Sequence, residues 1–346
     1  MNALSALRLN KQISTASALR EILPCRPSGL RHWLLLLALL VAPQMVDAQW
    51  KAAVGAQSND QAFQALAFLP NEIWIHAGDS ITWTFVPDEI HTLTFLKADQ
   101  PRPFFVDGCP GFSTDPATYD GSTCVTTPPM VRGQTFTVIF PTAGNFKFVC
   151  LVHENMDGRI HVLDASEPLP HDQAFYDKQA ETQRHELLSG ARNDAHGFHS
   201  LPNSPQGVTA GAGKVTANAG GSSTVSAFRF SHHDIQIHAG QTVEWDNHDP
   251  VTPHTITFGP SPEDLVDPSP DVTVDPDGAR HAVIDSTSDA THSGFIVAAP
   301  QERLGLPQSP LGVTRFRVTF PNTGTFPYVC ALHGELGMTG HVFVIP

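Results

Sequence analysis

Short segments in which apolar and polar residues alternate recur along the chain. Ile73, Ile75, Ile81 and Trp83 fall on a period of two, which is typical of a β-strand with one buried face. The Ala-Gly pair between Ile75 and Ile81 indicates a hairpin-type turn. Similar segments recur at 135–140, 159–163, 235–245, 315–320 and 341–345. Strands and turns at this spacing predict an all-β protein built from antiparallel β-sandwiches.

Three blocks of sequence occur twice in the same order, which indicates a duplicated domain. The matching blocks are 73–83 with 235–245, 91–95 with 254–258, and 140–150 with 320–330. A chain of 346 residues is also long enough for two domains and a linker.

The repeat sets the predicted domain boundaries at residues 50–166 and 205–346. Residues 167–204 between them change first to a polar composition and then towards Gly, Pro and Ser, as expected of a linker. We predict one short helix there, over residues 172–189. Long insertions at 97–133 and 259–312 separate the second and third blocks of each copy.

Residues 1–48 have the composition of an export signal. Three arginines precede an apolar run at 33–42, and residues 46–48 offer the small side chains that a signal peptidase reads. The run is shorter than the roughly 20 residues of a membrane span; an uncleaved N-terminal anchor is the alternative. We therefore predict an exported protein, periplasmic or extracellular.

The chain is acidic, with a formal net charge of −14. Loss of residues 1–48 would make it more negative, because that segment holds five basic and two acidic side chains. Nucleic acid and anionic lipid are therefore poor partners, and a basic protein partner is favoured. The alternative is that the acidic residues only keep an exported protein soluble.

Each copy contains one His on a strand, followed much later by Cys, His and Met close together. Two imidazoles and a thiolate with a weak axial thioether are the ligands of a blue-copper electron-transfer site. Zinc is one alternative, although Met is a poor zinc ligand, and a buried thiol beside a hydrogen-bonded His is another. The two sets are His91, Cys150, His153 and Met156, and His254, Cys330, His333 and Met338.

These motifs resemble the plastocyanin/azurin family of cupredoxins. The four residues between His333 and Met338 are similar to the plastocyanin loop, and the two between His153 and Met156 to the shorter amicyanin loop. The resemblance implies two tandem Greek-key sandwiches, each with one blue (type 1) copper ion. The family usually has Asn after the first His; here Thr92 or Thr255 stands there, so the hydrogen bond joining the ligand loops is expected to differ.

The resemblance also implies where electrons leave each site. In the family they pass through the solvent-facing side of the second His, a role that maps to His153 and His333. An acidic rim around the first site would then steer a basic redox partner, such as a cytochrome. The residues expected in that rim are Asp88, Glu89, Glu154 and Asp157.

Cys109 and Cys124 lie in the insertion of the first copy and match nothing in the second. They are the only cysteines after residue 48 without a predicted ligand role. Because exported proteins meet an oxidising environment, we predict that they form a disulfide. Two free thiols are the alternative.

The predicted function is to carry single electrons between protein partners, with no enzymatic activity and no small-molecule substrate. The first alternative is a two-domain copper oxidase or nitrite reductase with a further copper held by His alone. Such enzymes carry a His directly beside the copper Cys, whereas Cys150 and Cys330 have only apolar neighbours. The second alternative is a copper carrier, which usually has Met-rich or Cys-rich tracts; this chain has five Met.

Overall fold

The computed structural model describes residues 47–103, 109–198, 207–218, 220–298 and 313–346. Val46–Pro346 form one compact unit. The predicted export signal falls almost entirely outside the described residues, as do residues 199–204 of the predicted linker and the first two residues of the predicted second domain. In the part that is described, no helix is both long and apolar enough to cross a membrane.

The first copy of the repeat is a sandwich of two sheets. One sheet has the strand order β2-β1-β4-β8-β6 and the other has the order β3-β10-β9-β5-β7. The ten strands are β1 (Gln49–Gln57), β2 (Phe63–Leu69), β3 (Glu72–His76), β4 (Ser80–Phe85), β5 (Thr94–Phe95), β6 (Ala117–Thr118), β7 (Val125–Thr126), β8 (Thr135–Ile139), β9 (Gly144–Val149) and β10 (Asp157–Leu163).

The second copy repeats this plan after helix α1 (Gln173–Phe198), with sheet orders β16-β17-β19-β14-β11-β12 and β13-β21-β20-β15-β18. The prediction of two all-β sandwiches is confirmed. The strands are β11 (Gly207–Asn218), β12 (Gly221–Phe230), β13 (Asp234–His238), β14 (Gln241–His248), β15 (Thr257–Phe258), β16 (Thr273–Val274), β17 (Arg280–Val283), β18 (Thr291–His292), β19 (Arg315–Phe320), β20 (Gly324–Val329) and β21 (Thr339–Ile345).

Each sandwich is filled by aromatic side chains around one fully buried tryptophan. Trp83 on β4 packs edge-to-face against Phe148 at a ring-centroid distance of 5.7 Å. Trp245 occupies the equivalent place on β14 and packs against Tyr328 at 5.2 Å. Such pairs add to the free energy gained by burying the rings, so each copy has its own apolar core.

The two copies share one sheet, because β12 pairs antiparallel with β2. The paired residues run from Thr224 opposite Leu66 to Ala227 opposite Phe63. The result is a continuous sheet of eleven strands. The uninterrupted apolar stretch of β2 fits a strand covered on both faces: Leu66 packs into the core of the first copy, whereas its neighbours Ala65 and Ala67 pack with Leu188 of α1.

Helix α1 is longer than the predicted short helix at 172–189, since it runs for 26 residues. The Asp172 carboxylate caps its N-terminus by accepting the Phe175 N–H at 2.9 Å. The helix contacts β1, β2, β11 and β12. Packing of this kind supplies most of the stability of a helix in a protein, and the sequence of the linker alone does not reveal the surface that provides it.

Cys109 and Cys124 form a disulfide, as predicted, with their Cα atoms 5.5 Å apart. The other two cysteines in the described ranges, Cys150 and Cys330, are free and buried. The disulfide therefore ties the insertion of the first copy and leaves both predicted ligand thiols available.

Candidate metal centre

The first predicted ligand set comes together inside the first copy. His91 lies between β4 and β5, where its backbone pairs with Met130, whereas Cys150 and His153 lie on the loop between β9 and β10. The Cys150 Sγ atom is 3.9 Å from His91 Nδ1 and 3.8 Å from His153 Nδ1. The two Nδ1 atoms are 3.1 Å apart. All three side chains are buried, so three donor atoms converge on one point shielded from water.

The second set has nearly the same geometry. The Cys330 Sγ atom is 3.8 Å from His254 Nδ1 and 3.3 Å from His333 Nδ1, and the two Nδ1 atoms are 3.2 Å apart. The backbone of His254 pairs with Ile296, as His91 pairs with Met130. Both copies therefore place the distant His beside the Cys-His loop in the same way.

The donor atoms of both sets fit a metal ion. Three ligands arranged around an ion at about 2.0–2.3 Å stand roughly 3.5–4 Å from one another, close to the distances found. The predicted axial ligands, Met156 and Met338, are also buried. Each closes its ligand loop, because its carbonyl accepts the N–H of Cys150 at 2.9 Å or of Cys330 at 3.0 Å.

The surroundings of both thiols favour the anionic form that binds metals. Burial by itself would raise the pKa of the Cys150 thiol, but hydrogen bonds and charge from His153 and His91 outweigh it and hold that pKa well below 9.0. The pKa of Cys330 is lowered in the same way by His333 and His254. The thiolate is the form that coordinates a metal, so both sites favour the binding of a cation.

The pKa values of two of the histidines are raised, whereas those of the two thiols are lowered. Burial would lower the pKa of His153, yet its hydrogen bonds to Cys150 and Glu89 raise that pKa to about 9. The pKa of His254 also rises to about 9, because Asp249 and Cys330 outweigh the effect of burial. In each pair the histidine and the cysteine therefore favour each other's charged form.

The threonines that stand where the family usually has Asn join the two ligand loops. The Thr92 hydroxyl accepts the Leu151 N–H at 2.7 Å, and the Thr255 hydroxyl accepts the Ala331 N–H at 2.7 Å. The backbone N–H groups of Thr92 and Thr255 also point at the thiolates, at 3.5 Å and 3.4 Å. The bridge between loops is thus made by a hydroxyl in this chain.

A glycine in each first strand makes room for the distant His, a role that the sequence did not suggest. Gly55 lies where the pairing of β1 with β2 shifts register, and Gly211 lies where the pairing of β11 with β12 does so. Their φ values are 67° and 73°. A Cβ atom at Gly55 would lie 2.7 Å from His91 Nε2, and one at Gly211 would lie 2.1 Å from His254 Nε2. Only glycine leaves these rings in place.

We expect Gly211→Ala to abolish or strongly weaken metal binding at the second site. The added methyl group overlaps the His254 ring, and side chains rarely adopt a positive φ. Gly240→Ala is the matched control, because Gly240 has a φ of 84° but nothing within 4 Å of the new Cβ. Metal titration of both variants measures the effect; equal affinities at the second site would contradict the prediction.

The second His of each set is buried and does not face solvent. His153 is 2% exposed and His333 is 3% exposed, so the expectation that their outer sides meet solvent is wrong. The Glu89 carboxylate lies between them: Oε1 is 3.2 Å from His153 Nε2, and Oε2 is 3.7 Å from His333 Nε2. The reason is that the shared sheet brings the two ligand loops to the same junction.

The expected acidic rim is also largely absent in the described structure. Glu89 is buried. Asp88 forms an ion pair with Arg132 at 2.7 Å, and Asp157 lies 3.6 Å from Lys147. These acids are neutralised by neighbouring cations or enclosed between the copies, and they do not form a free anionic surface.

A second buried carboxylate, that of Asp249, contacts a ligand of the second site and none of the first. Asp249 Oδ2 is 3.6 Å from His254 Nε2, while Asp249 Oδ1 accepts the N–H groups of Val251 and Thr252. The pKa of Asp249 is lowered, because these hydrogen bonds and the His254 charge outweigh burial. The His-Asp spacing of five residues was visible in the sequence but gave no sign of this contact.

Both sites lie in regions of the chain that match a known protein family. The family described as copper binding proteins, plastocyanin/azurin family, matches residues 54–163 and 216–345. No curated protein matches the chain. Among solved structures, the reduced state of an amicyanin variant is 17% identical with a TM-score of 0.23, covering 35% of this chain and 87% of its own.

Amicyanin from Paracoccus versutus (Thiobacillus versutus) is 18% identical with a TM-score of 0.24, and the match covers 35% of this chain and 86% of that one. The two family matches span more than half of the present chain, and each contains one complete ligand set. We conclude that the chain belongs to the plastocyanin/azurin family of copper-binding proteins and holds two copies of its domain.

Proposed function

We propose that the protein carries single electrons between protein partners by means of two blue (type 1) copper sites. The observation that carries this proposal is the pair of buried His-Cys-His groups, whose ligand atoms all lie within 4.8 Å of one another in each group. Two imidazoles, a thiolate and a weak thioether are the donor set of electron-transfer copper.

The residues that would hold the metal are those predicted from the sequence. Copper bound there would supply the one-electron redox couple Cu(I)/Cu(II). The chain provides a thiolate for Cu(I), imidazoles for both states, and a packed frame that keeps the donors in place. Burial excludes water, and the Thr92 and Thr255 N–H groups support the sulfur atoms. The sites therefore need little rearrangement when the charge changes.

The proposed partner is a redox protein, with a basic cytochrome as one candidate. The net charge of −14 supports a basic partner. Because His153 and His333 are buried, such a partner would have to approach each site from another side. Export to the periplasm or beyond is part of the same proposal, and the Cys109–Cys124 disulfide agrees with it.

We expect the copper-loaded protein to turn over neither oxygen nor nitrite. A site filled by two His, a Cys and a Met has no open position for a substrate, and a catalytic metal must keep one. Oxygen uptake and nitrite loss with an artificial electron donor measure this. Fast one-electron exchange with a basic redox protein, slowing as salt rises, is the expected positive result.

The contrary outcome would identify an enzyme. Turnover of oxygen or nitrite that disappears when histidines other than His91, His153, His254 and His333 are replaced would reveal a further catalytic copper. It would favour the alternative of a two-domain copper oxidase or nitrite reductase.

A further inference from the structure

Glu89 touches both candidate copper sites, one with each carboxylate oxygen. Its Oε1 lies 3.2 Å from His153 Nε2 and its Oε2 lies 3.7 Å from His333 Nε2. The side chain is 8% exposed, so water does not compete freely for these contacts. The first distance is a hydrogen bond and the second an ion-pair contact. Neither histidine's outer nitrogen therefore faces bulk water.

We propose that Glu89 is a positioning residue shared by the two copper sites, which orients the second His of each and couples the properties of one site to the other. The proposal rests on the proposed function in so far as both sites bind copper. It goes further, because it makes the two domains a single two-centre unit.

The chemistry follows from which nitrogen of each ring faces the thiolate. In both His153 and His333 the Nδ1 atom is the one beside sulfur, so a coordinated ring carries its proton on Nε2. The His153 N–H then donates to Glu89 Oε1 at 3.2 Å, whereas the His333 N–H faces Oε2 at 3.7 Å, beyond hydrogen-bond distance. A carboxylate hydrogen-bonded to a ligand histidine fixes the tautomer and the ring orientation and makes the ligand more basic. Glu89 acts in this way on the first site, and on the second through the charge of the same carboxylate.

Only the first copy supplies a carboxylate at this position. Counting back from the first ligand of each copy, Thr252 stands where Glu89 stands in the first copy. The second copy contributes the packing: the Phe228 ring stacks on His333 at 4.1 Å, and the Phe228 N–H donates to Ala62 O at 2.8 Å. The sheet junction thus holds His333 against the carboxylate.

The contact also joins the two sites along a short path. If both sites held copper, one as Cu(I) and the other as Cu(II), this contact would provide a path for a single electron from the first site to the second. The transfer would need no covalent bond to form or break, and each proton would stay on its Nε2 atom. The path crosses two imidazole rings, one carboxylate and the two contacts described above, without intervening solvent.

Single-site proteins allow each half of the proposal to be measured. Cys330→Ser leaves only the first site and Cys150→Ser leaves only the second. In each background, we expect Glu89→Gln to lower copper affinity by about 10–100-fold and to shift the redox potential and the blue absorption band. The matched control is Asp249→Asn, because the carboxylate of Asp249 contacts His254 of the second set, and this variant should change the second site alone.

Two outcomes would overturn the proposal. The first is that Glu89→Gln alters the first site and leaves the second unchanged, as expected if the 3.7 Å contact has no effect. The second is that Glu89→Gln alters neither site. With artificial reductants no partner protein is needed, so a failure of partner exchange would count against the proposed function and leave these measurements intact.

A second measurement needs no substitution and covers the case in which Glu89→Gln fails to fold. In the wild-type Cu(I) protein with ¹⁵N-labelled histidine, NMR should show slowly exchanging Nε2–H signals from both His153 and His333, because both nitrogens face the same buried carboxylate. Only one such signal, or none, would contradict a shared carboxylate.

Discussion

Replacing Cys150 by serine should remove about half of the blue absorption of the copper-loaded protein, and replacing Cys330 should remove about the same amount. The blue colour of such sites arises from charge transfer between a thiolate and copper, and serine offers no thiolate. Each ligand set has its own cysteine, buried among its own histidines. The double variant should be colourless, and bound copper should fall from two ions per chain to one in each single variant.

The disulfide provides the control for this experiment. Cys109→Ser combined with Cys124→Ser removes two sulfur atoms outside both sites and should leave the colour unchanged. Blue colour that survives in the double variant of Cys150 and Cys330 would show that another thiolate binds copper. A single bound copper in the wild-type protein would refute the assignment of two sites.

Trp83→Ala should destabilise both copies, although the tryptophan lies in the first. Trp83 is fully buried, and removing such a side chain costs about 3–5 kcal/mol of unfolding free energy. The second copy depends on the first through the pairing of β12 with β2 and through Val251, which packs into the first copy's core. We therefore expect one cooperative unfolding transition.

The buried Cys330 thiol reports on the second copy in this test. In metal-free protein under native conditions, where the unfolded fraction is small, Trp83→Ala should speed alkylation of Cys330, measured by peptide mapping, by about a hundredfold or more. Phe112→Ala is the control, since Phe112 is 54% exposed in the same copy. An unchanged rate at Cys330 in Trp83→Ala would mean that the copies unfold independently.

The sequence predicted those features that depend on local pattern. Alternation around Trp83 and Trp245 revealed the strands, and the spacing of Cys150, His153 and Met156 revealed one ligand loop. These signals are strong because a strand has a period of two and because a metal demands particular donors. The disulfide followed from the same reasoning about donors, since Cys109 and Cys124 had no other role.

The missed features that bear most on the two sites depend on contacts between the copies. Glu89 looked like one more surface acid, because its histidine partners lie 64 and 244 residues further along the chain. His153 and His333 were expected at the surface because the family resemblance concerns single domains. The one available signal was a difference between the two copies. Their ligands match, but the position of Glu89 in the first copy is occupied by Thr252 in the second.

The pairing of β2 with β12 has a consequence for any attempt to produce one copy alone. Separated from the other copy, each of these strands would become an edge strand with a row of unpaired N–H and C=O groups. Exposed edges of this kind pair readily with other chains and promote aggregation. In β2 the unpaired row would run along residues 63–66, which pair with β12 in the intact chain. An excised domain would therefore need this edge blocked, for example by a charged residue, to remain monomeric.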